Sequence, residues 1–462
     1  MAISKEHAGD CLHSQKEFFQ AGKTRSYAAR KKALKDLRSS IQNHEEAIMS
    51  ALKADMNKPS FEAYSSEIGI VLQEIGHSLH WLKEWMHPQR VPSPVALAPA
   101  SSKVIPRPLG QVLIFGPWNY PFNLILTPLV AAISAGNTAL LKLPLQTPET
   151  AKVIDIVVTE ALPEEWASCI AIEDQDIIPE LIHGQSFQHI FFTGSKRVGK
   201  LIYSAAAEHL IPVTLELGGK NPVIVDSTAD IGVAARRIIW GKCFNAGQTC
   251  IAPDHVWAHE SIKAELLKCC QKEAKAFEKA YSDGEGMGRI VNTSRFEALE
   301  HLLEGQNAFY TSSKNKETLH FGLHLIDEPA MDSAVMKEEI FGPILPFLSW
   351  RDEVELIEKI ERNAEPLSFY LFSKDRALEK RITERIAFGG GCLNDCLVHF
   401  ANGEMPFGGI GNSGMGSYHG KKGFDTFSHY QSWVRNSTWL DVPVRYVPYS
   451  GWKNKLIKYL MK

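Results

Sequence analysis

Apolar residues along the first part of the chain recur at helical spacing. Ile68, Val71, Leu72 and Ile75 fall on one such stripe, in a stretch rich in Lys, Glu and Ala, and the pattern predicts a helical lead-in over residues 1–87. Pro88, Pro92, Pro94, Pro99, Pro106 and Pro108 then forbid a long helix and predict extended strands or an arm, suited to a sheet edge or an oligomer contact. From Gly110 the texture changes to short apolar runs. Val112–Phe115, Thr138–Leu141, His189–Phe192 and Val213–Leu215 read as buried strands, with helices at Pro148–Leu162 and Val198–Leu210 between them. Strand, helix, strand in succession predicts parallel pairing through right-handed crossovers, hence a doubly wound α/β domain that binds ligands beyond the carboxyl ends of its strands. A second α/β stretch opens near Gly218 with Asn221–Val225 and runs to about residue 412, before a Gly-rich, basic segment. There is no internal repeat and no low-complexity tract, so two domains and a minor bridging element form the simplest partition.

Composition narrows the class. Of 462 residues, 44% are hydrophobic and 22% charged, which excludes disorder and collagen-like repetition. A formal net charge of −3, with both signs scattered, offers no field for nucleic acid or an anionic membrane and points to a small-molecule partner. The N-terminal residues lack a secretory pattern, and no run approaches the ~20 apolar residues that span a bilayer. A cytoplasmic protein without stable membrane insertion is expected. Eight cysteines at irregular spacing read as reduced thiols, and neither Cys269 with Cys270 nor Cys392 with Cys396 completes a zinc set, so no metal is expected.

Several residues carry candidate chemistry. Cys250 closes the run Phe244-Asn245-Ala246-Gly247-Gln248-Thr249-Cys250, whose small and polar residues leave room beside the sulfur; taken alone, a cysteine is more often a small core residue. Glu216 ends a predicted strand ahead of Gly218-Gly219, placed to activate water. Asn119, in Phe115-Gly116-Pro117-Trp118-Asn119-Tyr120-Pro121-Phe122, is either a turn asparagine or a rigidly presented amide donor for an oxyanion. Phe192-Thr193-Gly194-Ser195, with Gly199 following, is either a plain strand-to-helix turn or one that receives phosphate on its backbone N–H groups.

Taken together, from about residue 10 to 435, these runs closely resemble the aldehyde dehydrogenase superfamily, with Glu338-Glu339-Ile340-Phe341-Gly342-Pro343 and Pro406-Phe407-Gly408-Gly409 in the family's order. The run Gly411-Asn412-Ser413-Gly414-Met415-Gly416 and Tyr418-His419-Gly420 resemble the class-three branch of medium-chain, fatty and aromatic aldehyde dehydrogenases. The resemblance implies a Rossmann-like cofactor domain over 1–87 and 107–216, a second α/β catalytic domain over 217–412, a bridging or dimerisation element at 88–106 and 413–445, and a tail at 446–462. It implies oxidation of an aldehyde to a carboxylate with NAD or NADP, in a homodimer. Cys250 matches the nucleophile, Glu216 the general base and Asn119 the oxyanion donor. Gly194, Ser195 and Gly199 match the pyrophosphate turn, Lys142 the residue at the adenosine ribose, Glu339 and Phe341 the pair at the nicotinamide ribose and ring, and Trp118 the cofactor-lining loop. Asn394 and Gly409 match scaffold positions.

One departure bears on cofactor choice. Where the family commonly places a ribose-binding Glu, the chain reads Lys142-Leu143-Pro144-Leu145, and Leu145 removes both that acceptor and its repulsion of a 2′-phosphate. Usable NADP beside NAD is expected. Tyr64 falls where tunnel aromatics occur in related enzymes, Trp81 and Trp85 read as core, and Cys243 as filler rather than a disulfide partner of Cys250. The segment Trp452–Lys462 reads as a docked terminus, or as a basic amphipathic helix resting on a membrane. The rival functions are a CoA-acylating or thioesterase-like enzyme, disfavoured by Glu216, and a non-catalytic structural protein of the same fold, disfavoured by Cys250, Glu216 and Asn119 together.

Overall fold

The computed structural model describes residues 5–170, 178–184, 187–282, 287–362, 365–441 and 443–461. One sheet holds six strands in the spatial order Gly414–Met415, Val213–Glu216, His189–Thr193, Gln111–Phe115, Thr138–Lys142 and Ala167–Ile170. The last five are mutually parallel, while the short Gly414–Met415 strand returns antiparallel with Gly414 opposite Glu216. Alternation along Gln111–Phe115 sends Val112 and Ile114 into the core shared with helices Tyr27–Asn43 and Asn123–Ala135. Leu113 and Phe115 go the other way, against Val198 and Ile202 of helix Lys196–Glu208. Both faces are covered, as a parallel sheet requires.

A second sheet runs Ala308–Thr311, His324–Asp327, Ile344–Trp350, His255–His259, Pro222–Val225, Ser368–Phe372 and Gly390–Leu393, parallel throughout except for its first pair. The proline-rich stretch supplies Gln89–Val91 and Ser101–Pro108, with a 3-10 turn at Val95–Leu97 between them, and joins Ser428–Arg435 in a third, antiparallel sheet. Ser428–Arg435 forms its edge, where Trp433 and Val434 are half exposed. The helix Gly451–Leu460 buries no residue.

The lead-in comprises helices Lys5–Gln20, Tyr27–Asn43, Glu45–Met56 and Gly69–Trp85. The Ser26 hydroxyl caps the second by accepting the Ala29 N–H, and Asn57, left-handed at φ 50°, stops the third. A short helix, Ser60–Ala63, then widens into a π-turn at Tyr64–Ile68, where the Gly69 N–H reaches the Tyr64 carbonyl. Trp85 is core, packed against Phe424 at 5.7 Å, whereas Trp81 is part exposed. Helix Asn123–Ala135 escapes the hydrophobic pattern because every residue is buried and Pro128 sits inside it, which leaves no polar face to mark a helical period.

Candidate active site

The site assembles where strand ends of the first sheet meet the loop that follows helix Ile231–Cys243 of the second α/β unit. After Phe115 the chain turns through residues 116–122, and the buried Asn119 donates its Nδ2 to the Gln248 carbonyl at 3.0 Å. The Asn119 carbonyl in turn accepts Asn245 Nδ2 at 2.9 Å. Asn245 and Ala246 are both left-handed at φ 53°, an unfavourable state for residues with a Cβ. Gly247, at φ 69°, occupies a point where a Cβ would stand 2.5 Å from the Gly342 carbonyl. This kink is over-determined by its neighbours. Gln248 Nε2 donates to the Asn245 and Arg289 carbonyls at 3.2 and 3.0 Å, the Tyr120 and Thr249 hydroxyls meet at 2.6 Å, and Asn221 Nδ2 holds the Cys250 carbonyl at 2.7 Å. The loop therefore delivers Cys250 on a fixed backbone.

Burial, with the Glu339 and Glu216 carboxylates nearby, pushes the Cys250 thiol up to about 12, while the backbone N–H groups of Cys250 and Ile251 pull the other way. Glu216 ends its strand 3% exposed, and neither carboxylate oxygen has a hydrogen-bond partner among the described residues. Burial holds its pKa well above the usual carboxylate range. Past Glu216, the Gly219 N–H donates to Glu339 Oε1 at 3.1 Å, and a Cβ on Gly218 would fall 2.2 Å from the Glu339 carboxylate oxygens. Gly218 thus leaves the space that this carboxylate fills. Desolvation raises Glu339 to about 7.

Cys250 borders two cavities. A tunnel of about 220 Å³ reaches it past Phe61, Leu124, Trp240, Phe244, Val398 and Phe400, with no charged side chain in its lining. A separate cleft of about 260 Å³ also reaches it and is lined by Trp118, Asn119, Gly194, Ser195, Glu216, Glu339 and Phe341. Cys250, Glu216 and Asn119 thus share one cleft with most of the candidate cofactor residues. Lys142 and Gly199 lie outside that lining: Lys142 ends its strand opposite Phe115, and Gly199 sits in the first turn of Lys196–Glu208, where a Cβ would meet Leu217 at 2.8 Å.

The cleft fits a nicotinamide dinucleotide. Ser195 caps helix Lys196–Glu208, its hydroxyl accepting the Val198 N–H at 3.4 Å, so the helix start faces the cleft as an anion site. Glu339 offers acceptors for ribose hydroxyls, and Trp118 meets Phe341 edge-on at 5.5 Å to form an aromatic wall.

The aldehyde dehydrogenase family model matches residues 1–433. The chain belongs to the aldehyde dehydrogenase family. It is 43% identical over 456 residues to the 4,4'-diaponeurosporen-aldehyde dehydrogenase of Staphylococcus aureus, covering 98% of each chain. It is 38% identical to the dimeric NADP-preferring aldehyde dehydrogenase of Canis lupus familiaris, covering 90% of this chain and 91% of that one. A solved structure of the substrate-bound state of Staphylococcus aureus AldH superposes with a TM-score of 0.95 at 42% identity, covering 98% of this chain and 99% of that chain. The expected membership, the class-three-like branch and the α/β fold are all met, and this aldehyde dehydrogenase oxidises aldehydes to carboxylates with NAD or NADP.

The structure also shows what the sequence reading missed. Tyr64 is not part of the tunnel lining, which its neighbours Phe61, Ser65 and Ser66 supply. Lys220 Nζ reaches Asp254 at 2.5 Å and the Val335 and Glu338 carbonyls at 3.0 and 2.8 Å, while the other Asp254 oxygen accepts the Ile340 N–H at 3.0 Å. This clamp holds the segment that carries Glu339 and Phe341 in the dehydrogenase. Arg295, which donates to the Ile340 carbonyl, joins the cleft lining. A lone Lys after two glycines gave no signal of a buried ion pair. Asn394 bonds the Ser373 backbone through both ends of its amide, at 2.9 Å each, and Gly409 lies where a Cβ would strike the Ser413 carbonyl at 2.2 Å.

Proposed function

We propose that Cys250 is the nucleophile, Glu216 the general base and Asn119 the oxyanion donor of this dehydrogenase. The observation that carries the reading is the placing of one sulfur at the junction of an apolar tunnel and a cleft with dinucleotide-binding features. The aldehyde enters by the tunnel, whose uncharged, aromatic-rich lining selects medium- or long-chain or aromatic substrates. Gly194, Ser195 and Gly199 form the turn for the pyrophosphate, Lys142 serves the adenosine ribose, Glu339 and Phe341 the nicotinamide ribose and ring, and Trp118 the wall beside them.

Cys250 first gives up its thiol proton to water, and attack of the thiolate on the aldehyde carbon then creates an oxyanion. One hydrogen of Asn119 Nδ2 is committed to Gln248, which fixes the amide plane and leaves the second for that oxyanion, together with the Cys250 N–H. When bound, the cofactor supplies a hydride acceptor and a positive charge beside the sulfur. The resulting thioester is a good acyl donor. Glu216, once ionised, takes a proton from water, and the hydroxide cleaves the thioester to release the carboxylate and return the thiol.

The proposed enzyme is a cytoplasmic homodimer without nucleic-acid partners. Eight free thiols suit a reducing compartment, and the half-exposed edge at Trp433 and Val434 suits a self-contact. No helix among the described residues is long and apolar enough to cross a membrane. The proposed cofactor-binding domain is residues 1–87 and 107–216, and the catalytic domain, 217–412, supplies the nucleophile together with Glu339 and Phe341 for the nicotinamide end. The test is growth of reduced-nicotinamide absorbance with a medium-chain or aromatic aldehyde, abolished in Cys250→Ala. Undiminished turnover by that variant would overturn the assignment.

A further inference from the structure

Lys58 and Glu67 form an ion pair, Nζ to Oε1 at 2.5 Å, from which both side chains are wholly excluded from solvent. A buried pair loses about as much in desolvation as it returns in attraction, so stability alone gives no reason for one. The rest of its bonding is directed at a single loop. Lys58 Nζ donates to the Asn119 carbonyl at 3.3 Å and lies 4.3 Å from the centre of the Tyr120 ring. Glu67 Oε2 accepts the Phe122 and Asn123 N–H groups at 3.2 and 2.9 Å, at the start of helix Asn123–Ala135. The pair thus grips both ends of the segment that carries the Asn119 amide.

The same element reaches the nucleophile loop. Glu62, five residues before Glu67 and just ahead of the π-turn, accepts the Asn245 N–H at 2.9 Å, and Asn245 in turn bonds the Asn119 carbonyl. Tyr120, beneath the Lys58 ammonium, touches Thr249 next to Cys250. Oxyanion loop and nucleophile loop are tied to one short stretch, residues 58–67, that also forms the tunnel wall through Phe61, Ser65 and Ser66.

We infer that Lys58 and Glu67 are positioning residues that set the Asn119 amide relative to the Cys250 sulfur and so act on formation of the tetrahedral adduct without touching it. This rests on the reading of Asn119 as the oxyanion donor. The experiment uses the full-length enzyme with cofactor and a medium-chain aldehyde. Glu67→Gln, and the apolar replacement Lys58→Met with Glu67→Leu, are each made in the native and the Asn119→Ala backgrounds, and kcat, KM, cofactor affinity and Tm are measured. The apolar replacement keeps the site filled and free of unpaired charge but leaves the Phe122 and Asn123 N–H groups without an acceptor, so Tm falls by several degrees with the enzyme still folded at the assay temperature, while kcat falls about 10- to 100-fold with KM changed by less than about threefold. Glu67→Gln, which keeps an acceptor for one N–H, falls between. In the Asn119→Ala background the same changes cost less than about twofold, because what they position is gone. Native kcat in either set, or equal losses in both backgrounds, would overturn the inference. Native kcat in Asn119→Ala alone would instead remove the oxyanion reading and this inference with it. If the apolar pair does not fold, Glu67→Gln in the two backgrounds decides.

Discussion

Replacing Glu216 by Gln separates the two halves of the reaction. The side chain keeps its shape in a site where neither oxygen is hydrogen-bonded to any described residue, so the fold has little to lose. The chemistry has no substitute: the other carboxylate in the cleft, Glu339, is engaged by the Gly219 N–H and fills the space beside Gly218. Loss of a positioned general base costs about 10²- to 10⁴-fold, or roughly 3–5 kcal/mol of barrier, and the absence of a stand-in places the loss at the upper end. Cys250 still forms the thioester, so rapid mixing with aldehyde and cofactor should give a burst of one reduced cofactor per site followed by near silence. The stability consequence has the opposite sign. Burial raises the folded pKa of Glu216 above its unfolded value, so between the two the native state holds the extra proton and stability falls as pH rises through that window, by about 1.4 kcal/mol per unit of pKa difference. Gln does not titrate, so the Tm of Glu216→Gln relative to the native enzyme should climb with pH across the same window. Steady-state turnover within about threefold of native, or loss of the burst along with it, would refute the assignment.

Narrowing the tunnel with Val398→Trp should raise KM for a ten-carbon aldehyde by about tenfold or more and spare propanal, read from a chain-length series; equal effects on both would put the substrate path elsewhere. With Leu145 part exposed where an acidic residue would repel a 2′-phosphate, the native enzyme should use NAD and NADP with discrimination well under several hundredfold, and Leu145→Glu should depress kcat/KM for NADP alone by about tenfold. Steady-state comparison of the two cofactors checks both. Lys220→Met breaks the buried pair with Asp254 and should cost about 3–5 kcal/mol in urea unfolding, along with a weaker KM for the cofactor as the Glu339 segment loosens. An unchanged unfolding midpoint would show the clamp to be idle.

Parallel strands announce themselves as unbroken apolar runs, and those around Leu113, Leu140 and Phe191 were legible to within a residue or two. The turns after them were legible for a different reason, since Gly, Pro and Asn constrain a backbone wherever they fall. The order of strands was not, because the two-residue return at Gly414–Met415 pairs with Val213–Glu216 across a gap in sequence that no local pattern encodes. Tyr64 misled because the cavity is lined by Phe61, before the π-turn, and by Ser65 and Ser66 within it, and which residues of so short a stretch face a cavity is decided by the assembled fold. Lys58 and Glu67 were invisible as a pair: charged residues in a helical stretch read as a solvated face, and burial is a property of the assembled fold.

Cys250 is the boundary that two cavities share. On the proposed assignment the aldehyde occupies one and the dinucleotide the other, and Cys250 is the one residue that lines both. An inert ligand lodged in the tunnel would compete with aldehyde and leave cofactor binding alone, and one lodged in the cleft would do the reverse.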